Sequence, residues 1–341
     1  MAATLHDVAA LAGVSIKTVS NVVHDYQHVR ASTRERVQRA IVELDYKPNI
    51  TARSLRSGRT GVIGLALPEL SLSYFAELAD AVIQAAERQS LVVLIEQTGR
   101  GDREREIAML TNPRLQLTDG LIFSPLGMSQ DDVDRLNVRY PLVVLGERIF
   151  GGPVDHVTMR NEEAAQAATE HLIRTGRRRI AVIGAHEGEV IGSAALRLEG
   201  YHRALDAAGI PRSEELVGYV IEWHRLNGAE AMRRMIAAGV EFDAVFGLND
   251  TLALGAMRAL QEAGLRVPQD VAVIGFDDLD EARYSLPTLS TVDPGRVEIA
   301  ETAVRVLAER ITAGATSTPP ADPRAYLTDF SVIGRESTAS V

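Results

Sequence analysis

Three groups of residues in this 341-residue chain have the types and spacing to do chemistry. The first is Ile16, Lys17, Ser20 and Asn21, in the stretch VSIKTVSNVV. At helical spacing these four share one face, opposite Val19, Val22 and Val23. A lysine can donate to guanine O6 and N7, an asparagine amide can pair with adenine N6 and N7, and an isoleucine can pack on a thymine methyl. Thr18, Ser32 and the nearby arginines would hold phosphates and fix the register. The second group is Arg53, Leu55 and Arg56. An apolar side chain between arginines can wedge open a base step from the minor groove, and the same composition also suits a plain basic linker. The third group stands at the ends of apolar runs further on: Tyr74, Phe75, Ser124, Arg197, Trp223, Asn249 and Asp277. Carboxylate, amide and guanidinium groups take paired hydroxyls, while an aromatic plate packs against a sugar ring. Asn249 would serve equally as a helix cap, and Trp223 as core.

Local patterns place the first group on a helix-turn-helix. Thr4 and Asp7 form a capping-box pair; Leu5, Val8, Ala9 and Ala12 make one apolar stripe, and Gly13 ends it. Ser15 can cap a second helix running from Ile16 to about His24. The tetrapeptide STRE, residues 32–35, reads as a full capping box for a third helix carrying Val37, Ile41 and Leu44. The layout suits an element that enters a major groove by its N-terminal end, although a small bundle with a solvated face has the same pattern. Pro48 and Gly58 bracket about eight residues, too few for a stable isolated helix, so this segment should coil only when held.

Charge follows the same division. The formal net charge is −10, yet residues 1–60 carry nine Lys/Arg against five Asp/Glu, so this head is +4 and the remainder −14. A basic head on an acidic body fits a polyanion partner for the head alone. Hydrophobic residues make up 46% and charged residues 24%, as in globular proteins, and no apolar run approaches the roughly 18–20 residues that span a bilayer. The N-terminal stretch lacks the Lys/Arg-then-apolar order of an export signal, so a cytoplasmic protein is expected. Cysteine is absent, which excludes disulfides, thiolate metal sites and cysteine nucleophiles. His24 and His28 stand four apart but have no third ligand in sight; neither a metal nor a cofactor is expected.

From residue 61 short apolar runs (VIGLALP, LVVLIE, GLIFSP, LVVLGE) alternate with amphipathic stretches, and after about residue 160 the theme recurs in RIAVIGA, AVFGLN and VAVIGFDD. This pattern gives parallel sheets with helical crossovers, and ligands of such sheets bind beyond the carboxyl ends of the strands.

The motifs TLHDVAALAGVS-IKTVSNVV, TRERVQRAIVELDYKPN, ARSLRSGRTGVIGL, SAALRLEGYHRAL, VFGLNDTLALGAMRAL, VAVIGFDDL and LSTV, in this order, resemble the LacI/GalR bacterial transcription regulators from end to end. The resemblance implies an N-terminal all-α helix-turn-helix head (1–46), a hinge helix (47–60) and an α/β two-lobed body like the periplasmic binding proteins (61–341). The chain would cross between lobes near residues 160, 291 and 324, making an N-lobe of about 61–160 and 292–323 and a C-lobe of about 161–291 and 324–341. It further implies that Ile16, Lys17 and Asn21 read operator bases, that Leu55 is the minor-groove wedge, and that Arg197, Asn249, Asp277 and Trp223 contact an effector. The implied function is a dimeric repressor on a pseudo-palindromic double-stranded operator, nucleoid-associated when bound, with a sugar-like effector preferred and a nucleobase corepressor the alternative. The C-terminal FSVIGRESTASV has no heptad pattern, so assembly as a homodimer is expected.

Rival functions fare worse. No G-x-G-x-x-G follows any strand, and there is no Walker lysine, G-x-S-x-G elbow or H-E-x-x-H pair, so an enzyme is not expected. A transport-type solute-binding protein would explain the body, but not residues 1–60.

Overall fold

The computed structural model describes residues 3–23, 26, 28–46, 59–314 and 322–339. They fall into two compact units, Met1–Gly61 and Val62–Val341.

The first unit holds helices α1 (Leu5–Ala12), α2 (Ile16–Val23) and α3 (Ala31–Glu43). The Thr4–Asp7 box closes in both directions. Asp7 N–H donates to Thr4 Oγ1 at 3.3 Å, and Thr4 N–H donates to Asp7 Oδ2 at 2.8 Å. The Thr4 hydroxyl, which donates to Asp7 Oδ2 at 2.7 Å, and then the Thr4 N–H hold the Asp7 carboxyl below its usual range. Gly13, at φ 63°, ends α1 in the left-handed conformation that only glycine adopts cheaply. Ser15 Oγ accepts the Thr18 N–H at 3.1 Å and so caps α2. Val8, Val19 and Val37, one from each helix, are fully buried at the centre, with Ala12, Val22, Ala40 and Tyr46 around them. The STRE expectation needs correction: α3 starts at Ala31 with Arg30 before it and no side-chain cap. Ser32 therefore lies inside the first turn, where its hydroxyl cannot act as an N-cap.

The second unit contains two parallel sheets. The first has six strands in the order β11-β5-β4-β3-β1-β2, and the second four in the order β7-β6-β8-β9. Here β1 is Val62–Leu67, β2 Val92–Gln97, β3 Leu121–Phe123, β4 Leu142–Leu145, β5 Asp155–Met159 and β11 Ala325–Thr328. The second sheet comprises β6 (Ile180–Ala185), β7 (Val217–Tyr219), β8 (Ala244–Gly247) and β9 (Ala272–Ile274). An antiparallel pair, β10 (Thr291–Asp293) and β12 (Ser331–Ile333), joins the lobes. Strands β3, β4, β6, β8 and β9 are buried at every residue, as expected of strands covered on both faces.

Helices α4 (Ser73–Arg88), α5 (Arg103–Leu110) and α11 (Arg296–Gly314) accompany the first sheet. Helices α6 (Asn161–Arg174), α7 (Ser193–Ala207), α8 (Arg225–Ala237), α9 (Asp250–Glu262) and the short α10 (Asp280–Tyr284) accompany the second. Helices α8 and α9 approach so closely that a Cβ on Gly228 would lie 2.2 Å from Leu252 O, and one on Gly255 2.0 Å from Arg225 O. The chain passes between lobes around Arg160 and again along β10. The third crossing, expected near residue 324, comes later: Ala325–Thr328 pairs with β5 in the first sheet, and the chain leaves that lobe only after Thr328.

Candidate functional site

In the first unit, Ile16 and Lys17 are exposed at the N-terminal end of α2, with Ser20 and Asn21 half-buried one turn on, while Val19 and Val22 point into the core. Lys17 and Asn21 are four apart, so they stand one above the other. The Thr18 hydroxyl meets Ser15 Oγ at 2.9 Å, which ties it to the cap. Ser32 is exposed in the first turn of α3. Arg53, Leu55 and Arg56 lie outside the described residues, as do His24 and most of the hinge.

In the second unit, one cavity of about 360 Å³ opens between the two sheets. It is lined by all seven residues singled out from strand ends: Tyr74, Phe75, Ser124, Arg197, Trp223, Asn249 and Asp277. Tyr74 and Phe75 come from the first turn of α4, and Ser124 follows β3. Asn249 and Asp277 follow β8 and β9, whose carboxyl ends open on the same space.

Arg197, on α7, is 3% exposed, and its guanidinium is fixed on every side. Its Nε donates to Asn161 Oδ1 at 2.8 Å and its Nη1 to Leu248 O at 2.5 Å, while Nη1 stands 3.6 Å from Asp277 Oδ1. The guanidinium carbon lies 3.6 Å from the Phe276 ring centre and 5.3 Å from that of Trp223. Trp223 in turn donates its indole N–H to Gly184 O at 2.8 Å. Each member is thus held before any ligand arrives, which lowers the ordering cost of binding.

Asp277 sits at φ 115° and Asp278 at φ 48°, conformations that cost roughly 1–3 kcal/mol each for residues other than glycine. The surrounding bonds enforce them. Asp277 N–H donates to Val292 O at 2.8 Å, and Arg296 donates to Asp277 O at 2.6 Å. Burial pushes the Asp277 carboxyl up to about 7; Arg197 and Arg296 pull it down, and Glu147 and Glu77 push it further up. Burial works to raise Asp278 too, but ion pairs with Arg335 and Arg283 hold it below its ordinary value, and it does not line the cavity. Asp250 is buried behind the wall, its carboxyl raised well above normal by burial and then by Asp277. It accepts from Thr291 Oγ1 at 2.6 Å and from the Leu279 N–H at 2.8 Å. A Cβ on Gly275 would fall 2.1 Å from Asp250 Oδ1, which is why glycine precedes Phe276 there. Burial, followed by Asp277 and Glu147, also lifts the Tyr74 hydroxyl far above its usual value. Asn249 caps α9 by accepting the Leu252 N–H at 2.7 Å, so the capping role is real and its amide nitrogen is what remains for the cavity.

Several wall residues went unnoticed in the sequence. Glu147, two residues after β4, accepts from Thr158 Oγ1 at 3.0 Å and from Ser193 Oγ at 2.6 Å. Arg148 reaches across to Glu189 at 3.1 Å and to Ile191 O at 2.8 Å. His186, directly after β6, bonds Glu189 through Nδ1 at 2.8 Å. All three sit at strand ends, so the rule that nominated Asn249 and Asp277 could have found them. Several of these contacts span the lobes, and Arg100 adds another by pairing with both Glu69 and Glu222. Among the described residues there is no cluster of acidic or histidine side chains able to hold a metal, and no helix long and apolar enough to cross a membrane. What this arrangement can do is bind a polar, ring-containing molecule between two lobes.

Comparison with known proteins decides the family. Residues 4–49 match the model of bacterial regulatory proteins of the lacI family, and residues 169–338 match the periplasmic binding protein-like domain. The chain is 37% identical to the HTH-type transcriptional regulator CelR of Thermobifida fusca over 93% of its length and 94% of that protein. The chain belongs to the LacI family. Other LacI-family relatives include the repressor PurR of Vibrio atlanticus (34% identical; 91% and 92% covered) and the ribose operon repressor of Escherichia coli (34%; 91% and 93%). Solved LacI-family structures with the same fold include a regulator from Sanguibacter keddieii, at 55% identity and TM-score 0.76, covering 82% of this chain and 99% of that one. A CelR–cellobiose complex matches at 32% identity and TM-score 0.71 over 98% and 99%. A lac repressor dimer bound to operator and an anti-inducer matches at 29% and 0.79 over 99% of both chains. The protein is therefore a DNA-binding transcription regulator of the small-molecule-responsive LacI type, and its relatives are regulators rather than enzymes.

Proposed function

We propose that this regulator is a repressor whose effector is a saccharide bound between the lobes, and that it grips a pseudo-palindromic operator as a homodimer. The observation that carries the saccharide reading is the combination on one cavity wall of an indole plate, Trp223, with the fixed Arg197–Asp277 pair. An aromatic face takes the apolar side of a pyranose ring, and the planar charged groups take its hydroxyls. The CelR–cellobiose complex supports the choice of cellobiose as first probe. On the head, Ile16, Lys17 and Asn21 read bases, and Thr18, Ser32, Arg53 and Arg56 hold the backbone. Leu55 wedges the minor groove.

Coupling between sites needs an element with two arrangements that both ligands bias. The lobes supply it. Arg148–Glu189, Ser193–Glu147 and Arg100–Glu222 bridge them, and a ligand that engages Glu147, Arg148 and Asp277 alters the spacing of those bridges. Residues 47–60 carry that change to the head. The test is titration of the full-length protein with cellobiose and other saccharides by calorimetry and by operator anisotropy. Saccharide binding that changes operator affinity is expected; a nucleobase that binds where every saccharide fails would replace this reading.

A further inference from the structure

A second cavity, of about 560 Å³, adjoins the first and shares two walls with it, His186 and Ile221. It lies wholly on the second lobe, beyond the carboxyl ends of β6 and β7. Its other walls are Glu187, Tyr219, Val220 and one face of α8, where Asn227, Glu230 and Arg234 recur at i, i+3 and i+7. Arg234 is pinned by a bond from Nη2 to Tyr219 O at 3.1 Å, and the Tyr219 hydroxyl donates to Glu214 at 2.7 Å. Amide, carboxylate, fixed guanidinium and aromatic ring are the same four groups that line the inter-lobe cavity.

The two spaces meet at a shared wall. The His186 ring is tilted against Trp223 with centroids 5.8 Å apart, and Glu189 fixes it through Nδ1. Its Nε2 is buried without a hydrogen-bond partner among the described residues. An unpaired ring nitrogen is a polar position that the shared wall leaves unsatisfied. Ile221 projects at the same boundary, 89% exposed, with Val190 and Ile191 also exposed on the loop after β6. Apolar side chains at a cavity mouth give a sugar ring something to slide across.

Resting on the saccharide reading above, we infer that the effector site continues into this groove and takes an oligosaccharide of three or more units. The inner units fill the inter-lobe cavity, the chain passes His186 and Ile221, and an outer unit lies between Tyr219 and the Asn227–Glu230–Arg234 face.

Calorimetric titration of the full-length protein with glucose, cellobiose, cellotriose and cellotetraose, alongside the α-1,4-linked series, tests this. Wild type should bind the trisaccharide of the preferred linkage about tenfold more tightly than the disaccharide, or better. In an Asn227→Ala/Glu230→Ala double variant the two should bind alike, with disaccharide affinity unchanged. Equal di- and trisaccharide affinity in wild type, or a trisaccharide preference that survives in the double variant, overturns the extended site while leaving a saccharide effector standing. If no member of either series binds, the saccharide reading itself falls and this inference with it.

Discussion

The guanidinium of Arg197 lies on the ring of Phe276 at 3.6 Å and, at the same distance, faces the carboxylate of Asp277. Both charged groups are almost fully buried. Removing one partner of such a pair strands the other, and breaking a buried pair costs about 3–5 kcal/mol. Arg197→Met should therefore lower the unfolding free energy measured by urea titration by an amount of this order. A loss below about 1 kcal/mol, the size of a surface pair, would show that the pair is not buried as described.

The Asp277 carboxyl titrates far from where an unfolded aspartate does. Its folded value of about 7 stands above the unfolded value of roughly 3.9. Between these limits the folded state holds the extra proton, so the stability this group contributes is full below about pH 4 and is lost as pH rises to about 7. Asp277→Asn removes that loss. The melting temperature of the variant relative to wild type should rise from pH 5 to pH 8 and level off above; a difference flat in pH, or one that falls, would contradict the assignment.

Trp223 offers a cleaner functional probe, because its indole faces the cavity and packs only partly into the second-lobe core. Trp223→Ala should weaken saccharide binding by about tenfold or more in calorimetry, an energy of about 1.4 kcal/mol or above. Operator affinity without saccharide should not move. Unchanged saccharide affinity would take the indole out of the binding wall.

On the head, two neighbouring substitutions separate reading from scaffolding. Lys17 is exposed at the start of α2, so Lys17→Ala should change which operators are selected from a duplex library. Ser15→Ala removes the α2 cap and should cost about 1 kcal/mol of head stability, weakening all operators alike without reordering them. Uniform weakening by Lys17→Ala would assign that side chain to phosphate.

How much of this was legible in the sequence follows from what each segment is made of. Strands β1, β4, β6 and β9 announced themselves as apolar runs because both their faces are covered. The strand DHVTM did not, although it is buried throughout. Its polar letters are satisfied by distant partners: Asp155 accepts from Arg310 at 2.5 Å and His156 contacts Gly146 O at 2.5 Å. Only the fold brings those residues together. The late placement of Ala325–Thr328 was missed for a related reason, since a four-residue strand carries too little pattern to say which sheet it joins. The strand-end rule found seven residues that share one cavity, yet Glu147 and His186 obey it equally and were passed over. Ser32 shows the reverse error, a capping motif whose helix begins two residues earlier than its letters imply.

The coupling of metabolite to operator is most directly tested by selecting duplexes with full-length protein and titrating the enriched one with saccharide by fluorescence anisotropy. A symmetric, two-half-site duplex should emerge, and saturating saccharide should change its affinity about 5–150-fold in wild type and far less in Trp223→Ala. Failure to enrich any symmetric duplex, or an affinity unmoved by a saccharide that calorimetry shows to be bound, would contradict the account.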